Sequence, residues 1–242
     1  MKSGVKIGTC GFRANKREYA QVLAAVEVQH TFYQPPQIKT LEKWRAEMPE
    51  DFEFALKAWQ LITHEAKSPT YRRLKKALTE TESEEAGYFK PTAIVREAWA
   101  TTLSCARALK AKTVLFQCPA GFKPYRENVE NLEKFFGSVE RDNLNFAWEP
   151  RGDWNAKLVR EICENLDLWH AVDPFAHKTT TPEKCYYRLH GRTGFRYKYE
   201  EDELAELAAM LPEKQTSYVF FNNRYMLEDA LLFQKIIDVN QK

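Results

Sequence analysis

Eight short stretches of this chain read as strands, and in one of them apolar and polar residues alternate with a period of two, the spacing of side chains on the two faces of a strand. Val5–Cys10 (VKIGTC) is the first. Val26–Phe32 is the second: Val26 and Val28 alternate with Glu27 and Gln29, and the stretch runs out before Pro35-Pro36. Phe52–Ala58, Thr113–Gln117, Asn143–Glu149, Leu168–Asp173, Tyr186–His190 and Ser217–Asn222 follow. Between them the period lengthens to that of a helix, over Asn15–Ala25, Ile38–Met48, Ile94–Lys110, Arg126–Ser138, Asn155–Asn165, Glu200–Leu211 and Met226–Val239. Strands that alternate with helices predict parallel pairing. Eight of them predict an α/β fold, a single (β/α)8 TIM-type barrel spanning residues 1–242. A doubly wound open sheet is the alternative, but no GxGxxG loop follows the first strand.

Two connections break the rhythm. Residues 59–93 separate the third strand from its helix and form an excursion or lid. Within it Tyr71–Leu78 has a basic, helical look, and Thr79–Ala86 (TETESEEA) is acidic with no apolar face. Pro174–Lys184 has no helical period.

Composition narrows the class. Thirty-six basic residues against 34 acidic ones leave a net charge of +2, so no global field draws the chain to nucleic acid or membrane. The N-terminal MKSGVKIGTC lacks the apolar run of a signal peptide, and no run approaches the ~18 apolar residues of a membrane span. Five scattered cysteines with no CxxC pair are expected to be free thiols. The expected location is therefore the cytoplasm, with no membrane partner.

In a barrel of this type the functional face is built from the C-terminal ends of the strands. Those ends carry Thr9 and Cys10; Glu27, His30, Thr31 and Tyr33; Lys57, then Trp59 and His64; and Gln117. The second half adds Glu149, Arg151 and Trp154; Asp173; Arg188, His190 and Arg192; and Asn222, Asn223 and Arg224. Charged groups inside a barrel are costly unless paired. Glu27, Lys57, Glu149, Asp173 and Arg188 are therefore expected to form an interior network of two cations and three carboxylates. Its bland interpretation is mutual neutralisation; its functional one is a site. Glu27, Lys57, Glu149 and His190 are the candidate catalytic groups. Thr9, Tyr33, Trp59, His64, Gln117, Arg151, Trp154, Asp173, Arg188, Asn222 and Asn223 are the candidate ligand-binding groups.

VEVQHTFYQPP, FALKAWQLITH, FQCPAGF, WEPRGDW, RLHG and FFNN occur in this order at barrel-like spacing. Together they resemble the domain-of-unknown-function 72 family, the YecE-like barrels, from about Ile7 to Ile237. The resemblance implies a TIM-type barrel with a pocket lined by these motif residues, and it brings no settled activity. The chain has Gln29-His30 where the family commonly has Asn-Ser, and Gln60 where a basic residue is common. Pro150 stands between Glu149 and Arg151, and Arg224 stands where a small or acidic residue is usual.

Four chemistries compete. The first is a polar, anionic small ligand, bearing phosphate or carboxylate. Lys57, Arg151, Arg188 and Arg192 would bind it, and hydrolase, isomerase and lyase reactions stay open. The second is metal-assisted chemistry of the sugar-isomerase or abasic-site-endonuclease kind, with ligands drawn from Glu27, His30, His64, Glu149, Asp173 and His190. No HxxxH or HxH pair fixes two of these on one element. A divalent metal is thus the only cofactor in view, since no organic-cofactor motif is present. The third is a non-enzymatic nucleic-acid module using Tyr71–Lys76 (YRRLKK). The fourth is a Schiff base on Lys57, against which stand two nearby carboxylates expected to keep that amine charged. His170 is expected to pack within its strand, and His177 to lie on a loop surface.

Overall fold

The structure is a computed structural model that describes residues 4–212 and 215–239. Eight parallel strands close into a barrel in sequence order: β1 (Val5–Cys10), β2 (Ala25–Val28), β3 (Glu53–Lys57), β4 (Thr113–Gln117), β5 (Asn145–Glu149), β6 (Leu168–Val172), β7 (Tyr186–Leu189) and β8 (Ser217–Phe221). The chain is a TIM barrel, as its pattern predicts. The main outer helices are α1 (Lys16–Val22), α3 (Ile38–Ala46), α6 (Ala93–Leu109), α7 (Arg126–Ser138), α8 (Ala156–Leu166), α9 (Glu201–Ala209) and α10 (Met226–Val239). Helix starts are set by short polar side chains: Asn15 and Asn155 each accept the backbone N–H two residues on, which satisfies an otherwise unpaired donor. No helix joins β6 to β7.

Two local expectations need correction. The second strand stops at Val28, and His30–Tyr33 forms a helical turn, α2. His30 is thereby turned out of the barrel, exposed, with its ring edge-on to Trp44. Tyr71–Leu78 is not a helix. A 3-10 turn at Pro69–Arg73, capped by Ser68, ends there, and the acidic run instead forms α5 (Glu80–Glu85), closed by a Thr79–Glu82 capping box. After β3 comes the short α4 (Gln60–Thr63). The excursion is anchored to it, because Gly87 and Phe89 donate to the Leu61 and Ile62 carbonyls at 2.8 and 2.9 Å. It packs beside α2 and α6, on the β2–β4 side of the barrel mouth. Among the described residues no helix is long and apolar enough to cross a membrane, and all five cysteines are free and buried.

The barrel interior is filled asymmetrically. Ala25, Ala55, Ala147 and Ala171 face inward from β2, β3, β5 and β6, while Tyr186, Tyr218 and Phe220 reach across from β7 and β8. Aromatic volume on one wall thus replaces the layers of branched residues common in such barrels. The three rings pack as a triangle, with centroids 5.4 Å apart for Tyr186–Phe220, 5.8 Å for Tyr186–Tyr218 and 6.0 Å for Tyr218–Phe220. Beneath them the Tyr218 hydroxyl donates to Glu53, which also pairs with Lys6. Gly8 on β1 leaves the room this wall needs. A Cβ there would lie 2.1 Å from the Ala25 carbonyl oxygen and 3.0 Å from the Phe220 ring.

Gly8→Ala is therefore expected to cost about 2 kcal/mol or more, the upper part of the range for overpacking. Urea unfolding at neutral pH checks this. An unchanged midpoint would show that the wall can yield.

Candidate functional site

Side chains alternate along each strand, so the inward row at the C-terminal end follows from the register: Cys10, Glu27, Lys57, Gln117, Glu149 and Arg188, with His190 and Asn222 continuing it past β7 and β8. Arg188 lies at the centre, 1 % exposed. Its Nε and Nη2 donate to the two Glu27 oxygens at 3.0 and 2.9 Å, and Nη1 donates to Glu149 Oε2 at 2.6 Å. Glu27 is wholly buried and accepts three further donors, from Tyr186 Oη at 2.7 Å, Cys10 Sγ at 3.2 Å and Gln29 Nε2. Burial alone would raise both carboxyls. Burial is the largest single effect, but Arg188 together with Tyr186 and Cys10 at Glu27, and with Arg151 and Gln117 at Glu149, outweighs it, so both carboxyls are held below the usual carboxylate range. Burial, followed by Glu27, pushes the Cys10 thiol well up and keeps it an S–H donor.

Lys57 is different. Its Nζ donates to Gln117 Oε1 at 2.5 Å and stands 3.6 Å from the Phe32 ring centroid. Gln117 Nε2 donates in turn to Glu149 Oε1 at 2.7 Å. An amide thus stands between the lysine and the carboxylate. Burial, then the neighbouring Arg188 charge, pull Lys57 down to about 7 despite Glu149 and Glu27. The two carboxylates expected to keep Lys57 charged are both engaged by Arg188 and do not hold the amine at its ordinary value. His64 stands nearby, 8 % exposed, its Nδ1 2.8 Å from Thr63 Oγ1. Burial, with Lys57 and Arg151, lowers it to about 3, so it is a neutral imidazole.

The rim is built by Arg151, His190 and Asp173. Arg151 Nε donates to Glu149 Oε1 at 2.9 Å, and its side chain stays 44 % exposed. His190 Nε2 lies 3.1 Å from Arg151 Nη2 and 3.3 Å from Arg188 Nη1. Guanidinium groups only donate, so Nε2 must accept, which places the ring proton on Nδ1, 3.7 Å from Asp173 Oδ2. Asp173 also accepts the backbone N–H of His190 at 2.9 Å and of Phe175 at 3.1 Å. Gly191, at φ +87°, turns the chain sharply after His190; a Cβ would meet the Gly194 carbonyl oxygen at 2.3 Å. These residues line a cavity of about 620 Å³ between the loops after β5, β6 and β7, whose walls include Trp154, His177 and Lys178.

A family model described as Protein of unknown function DUF72 matches residues 12–241. The chain belongs to this family. It is 23 % identical over 246 residues to the UPF0759 protein YunF of Bacillus subtilis (strain 168), covering 85 % of this chain and 79 % of that protein. A DUF72 family protein from Enterococcus faecalis V583 superposes with a TM-score of 0.71 at 24 % identity, over 97 % of this chain and 98 % of that one. Endonuclease IV from Thermus thermophilus shares the fold alone, with a TM-score of 0.56 at 11 % identity, over 97 % and 99 % of the two chains.

In this DUF72 barrel the predicted residues divide by the face of the strand they occupy. Glu27, Lys57, Gln117, Glu149, Arg151, Arg188 and His190 converge, with His64 beside them. Asp173 is a rim residue that positions His190, not a member of the interior network. Thr9 faces outward and bonds Tyr19 Oη at 2.9 Å and the Gly11 carbonyl oxygen at 2.8 Å. Asn223 also faces outward, its Nδ2 donating to the Tyr197 carbonyl oxygen and to Asp229. Asn222 follows the inward parity and is half-buried. Trp154 holds the cavity wall through Nε1 to the Phe122 carbonyl oxygen, 2.8 Å away. Tyr33 lies under the Arg73 guanidinium, and Trp59 packs into the outer core. Arg192 is occupied by Glu203 and Glu206. His170 is buried and bonded to Thr180, and His177 is exposed, both as expected. Tyr186, which fixes Glu27, belongs to the site although it is not among the residues expected there from the sequence. Its signal was its place two residues before Arg188, on the same inward face.

The donor set does not fit a metal. Among the described residues no three His, Cys, Asp or Glu side chains converge on one point, and Glu27 and Glu149 are both committed to Arg188.

The perturbed lysine sets a stability signature. Between about pH 7 and the ordinary lysine value of roughly 10.4, the unfolded chain carries a proton that native Lys57 has shed. The unfolded state thus binds more protons, and the Lys57 contribution makes stability rise with pH across that window. Unfolding free energies of the wild type and Lys57→Met, measured from pH 6 to 10, should differ by this slope. Parallel curves would refute the assignment. Glu27→Leu alone should cost about 3–5 kcal/mol by leaving Arg188 Nε and Nη2 without their carboxylate, and Glu27→Leu combined with Arg188→Met should recover part of it, since Glu149 keeps Arg151 and Gln117. A double-mutant cycle checks this; additive losses would show that the pair is not coupled.

Proposed function

We propose that this barrel binds a small anion, a phosphate or carboxylate group, in the cavity at Arg151 and His190. The observation that carries this reading is the imbalance of free charge. Both carboxylates lining the cavity are consumed: Glu149 by Arg188, Arg151 and Gln117, and Asp173 by backbone N–H groups. Arg151 gives its Nε to Glu149 and directs Nη2 to His190, which leaves Nη1 as the donor a ligand can take on a half-exposed side chain, with Lys178 on the same wall. A planar guanidinium edge suits an oxyanion. His190, whose backbone N–H is held by Asp173, is the proton-transfer candidate at such a ligand once the anion draws the guanidinium donors of Arg151 away from its Nε2.

Charge balance adds a linkage. In the buried cluster Arg188 and Arg151 balance Glu27 and Glu149, and Lys57 is about half charged near neutrality. A bound anion favours the charged amine, so binding takes up a proton. Five unpaired cysteines suit a reducing compartment, and the cytoplasm is the location we assign. The hydrolase, isomerase and lyase classes all remain compatible with this site.

Calorimetry of inorganic phosphate binding tests the proposal. Affinity should weaken as pH rises above about 7, binding near pH 7.5 should take up protons from buffer, and Arg151→Gln should weaken affinity roughly 10- to 100-fold. Binding that ignores both pH and Arg151→Gln would place the anion elsewhere, and no binding would remove the reading.

A further inference from the structure

The anion site does not use one feature of the cluster. Lys57 and Arg151 attach to opposite ends of the same relay: Lys57 Nζ to Gln117 Oε1 at 2.5 Å, Gln117 Nε2 to Glu149 Oε1 at 2.7 Å, and Arg151 Nε to that same Glu149 oxygen at 2.9 Å. Lys57, Gln117 and Glu149 each keep 6–8 % of their surface exposed, whereas Arg188 beneath them keeps 1 %, so the relay and not the central arginine is what a ligand at the barrel mouth can reach. The amine has no carboxylate within ion-pair distance among the described residues; its acceptor is a neutral amide, and an aromatic ring lies 3.6 Å to one side. Other buried cations of the barrel top are committed. Arg188 directs its donors to Glu27, Glu149, His190 and Cys10, which leaves Lys57 as the cluster's nucleophile.

We propose that Lys57 forms an imine with the carbonyl group of a short oxo acid whose carboxylate is held by Arg151. This inference rests on the anion-site reading and narrows its ligand class. In the reaction the Nζ lone pair forms a bond to the carbonyl carbon. The two N–H hydrogens and the carbonyl oxygen leave as one water, so that amine and carbonyl give imine and water with nothing else consumed. The imine nitrogen, once protonated, is a cation in the place of the Lys57 ammonium, beside Gln117 and the Phe32 face. The groups that face this nitrogen are Arg188 and Arg151, which favour the free amine, and Glu149 and Glu27, which oppose it. Lysines desolvated beside other cations are the usual carbonyl nucleophiles of proteins. With Lys57 pulled well below the ordinary lysine value, a far larger share of its amines is free at neutral pH than the about one in a few thousand of an ordinary surface lysine.

Reductive trapping tests the proposal on the full chain. Glyoxylate and, separately, the uncharged propionaldehyde are each incubated with the protein and borohydride at pH 7.5, and peptide mass mapping locates the resulting secondary amines. Glyoxylate should label Lys57 at least about tenfold faster than any other lysine. The ratio of Lys57 to surface labelling should be several-fold lower with propionaldehyde, and inorganic phosphate should slow labelling of Lys57 alone. Arg151→Gln should abolish both the preference for glyoxylate and the protection by phosphate. This mapping is done on the wild type, so it does not depend on whether a Lys57 variant folds. Phosphate binding with no Lys57 adduct would overturn the imine and leave the anion site standing. A Lys57 adduct formed equally from both aldehydes, with no phosphate protection, would overturn the oxo-acid assignment together with the anion site.

Discussion

The mouth of this barrel depends on a guanidinium sealed from water. Arg188 must find partners for its charge inside the barrel, and it finds two, Glu27 across from it and Glu149 beside the cavity. Desolvating three ions is expensive, and only near-ideal geometry with every remaining donor and acceptor satisfied offsets it. The surroundings meet that requirement: Tyr186, Cys10 and Gln29 complete Glu27, while Gln117 and Arg151 complete Glu149. The aromatic wall of β7 and β8 supplies the low-dielectric floor, and Tyr186 belongs to both floor and network.

Function follows from what this arrangement leaves over. Because Arg188 engages both carboxylates, the Lys57 amine rests on the Gln117 amide and the Phe32 ring, and Arg151 stays half-exposed at the cavity. The same commitment makes Glu27 and Glu149 poor candidates for a general base, since a carboxylate held below its usual range by a buried guanidinium gives little driving force for proton abstraction. His190, oriented by Asp173, is better suited. The likeness to endonuclease IV is one of fold, and the polar groups on the barrel top of this chain are arranged around a buried arginine.

Much of this was legible in the sequence because the strand period is two. Once the eight strands are recognised, Glu27, Lys57, Gln117, Glu149 and Arg188 must share the inward face, and no contact map is needed to group them. The same parity places Thr9 and Asn223 outside, and grouping them with the site ignored it. His30 was misplaced because Gln29 and His30 continue the polar alternation past Val28, although the chain there has already turned into α2. Tyr71–Leu78 has helical composition, but Pro69 opens a 3-10 turn that ends at Arg73, and Tyr71, Leu74 and Leu78 reach the core from this non-helical segment. Which charges pair inside the barrel is set by distances of a few tenths of an ångström across strands, and no spacing rule reveals that Gln117 separates Lys57 from Glu149.

The most direct measurement is an NMR titration of the Lys57 side chain in the intact protein, with and without inorganic phosphate, assigned with Lys57→Met. The expected midpoint is near 7 in the free protein, moved upward when phosphate binds. A midpoint near the ordinary lysine value of roughly 10.4, unmoved by phosphate, would mean that the carboxylates keep Lys57 charged and that Arg188 does not control the site.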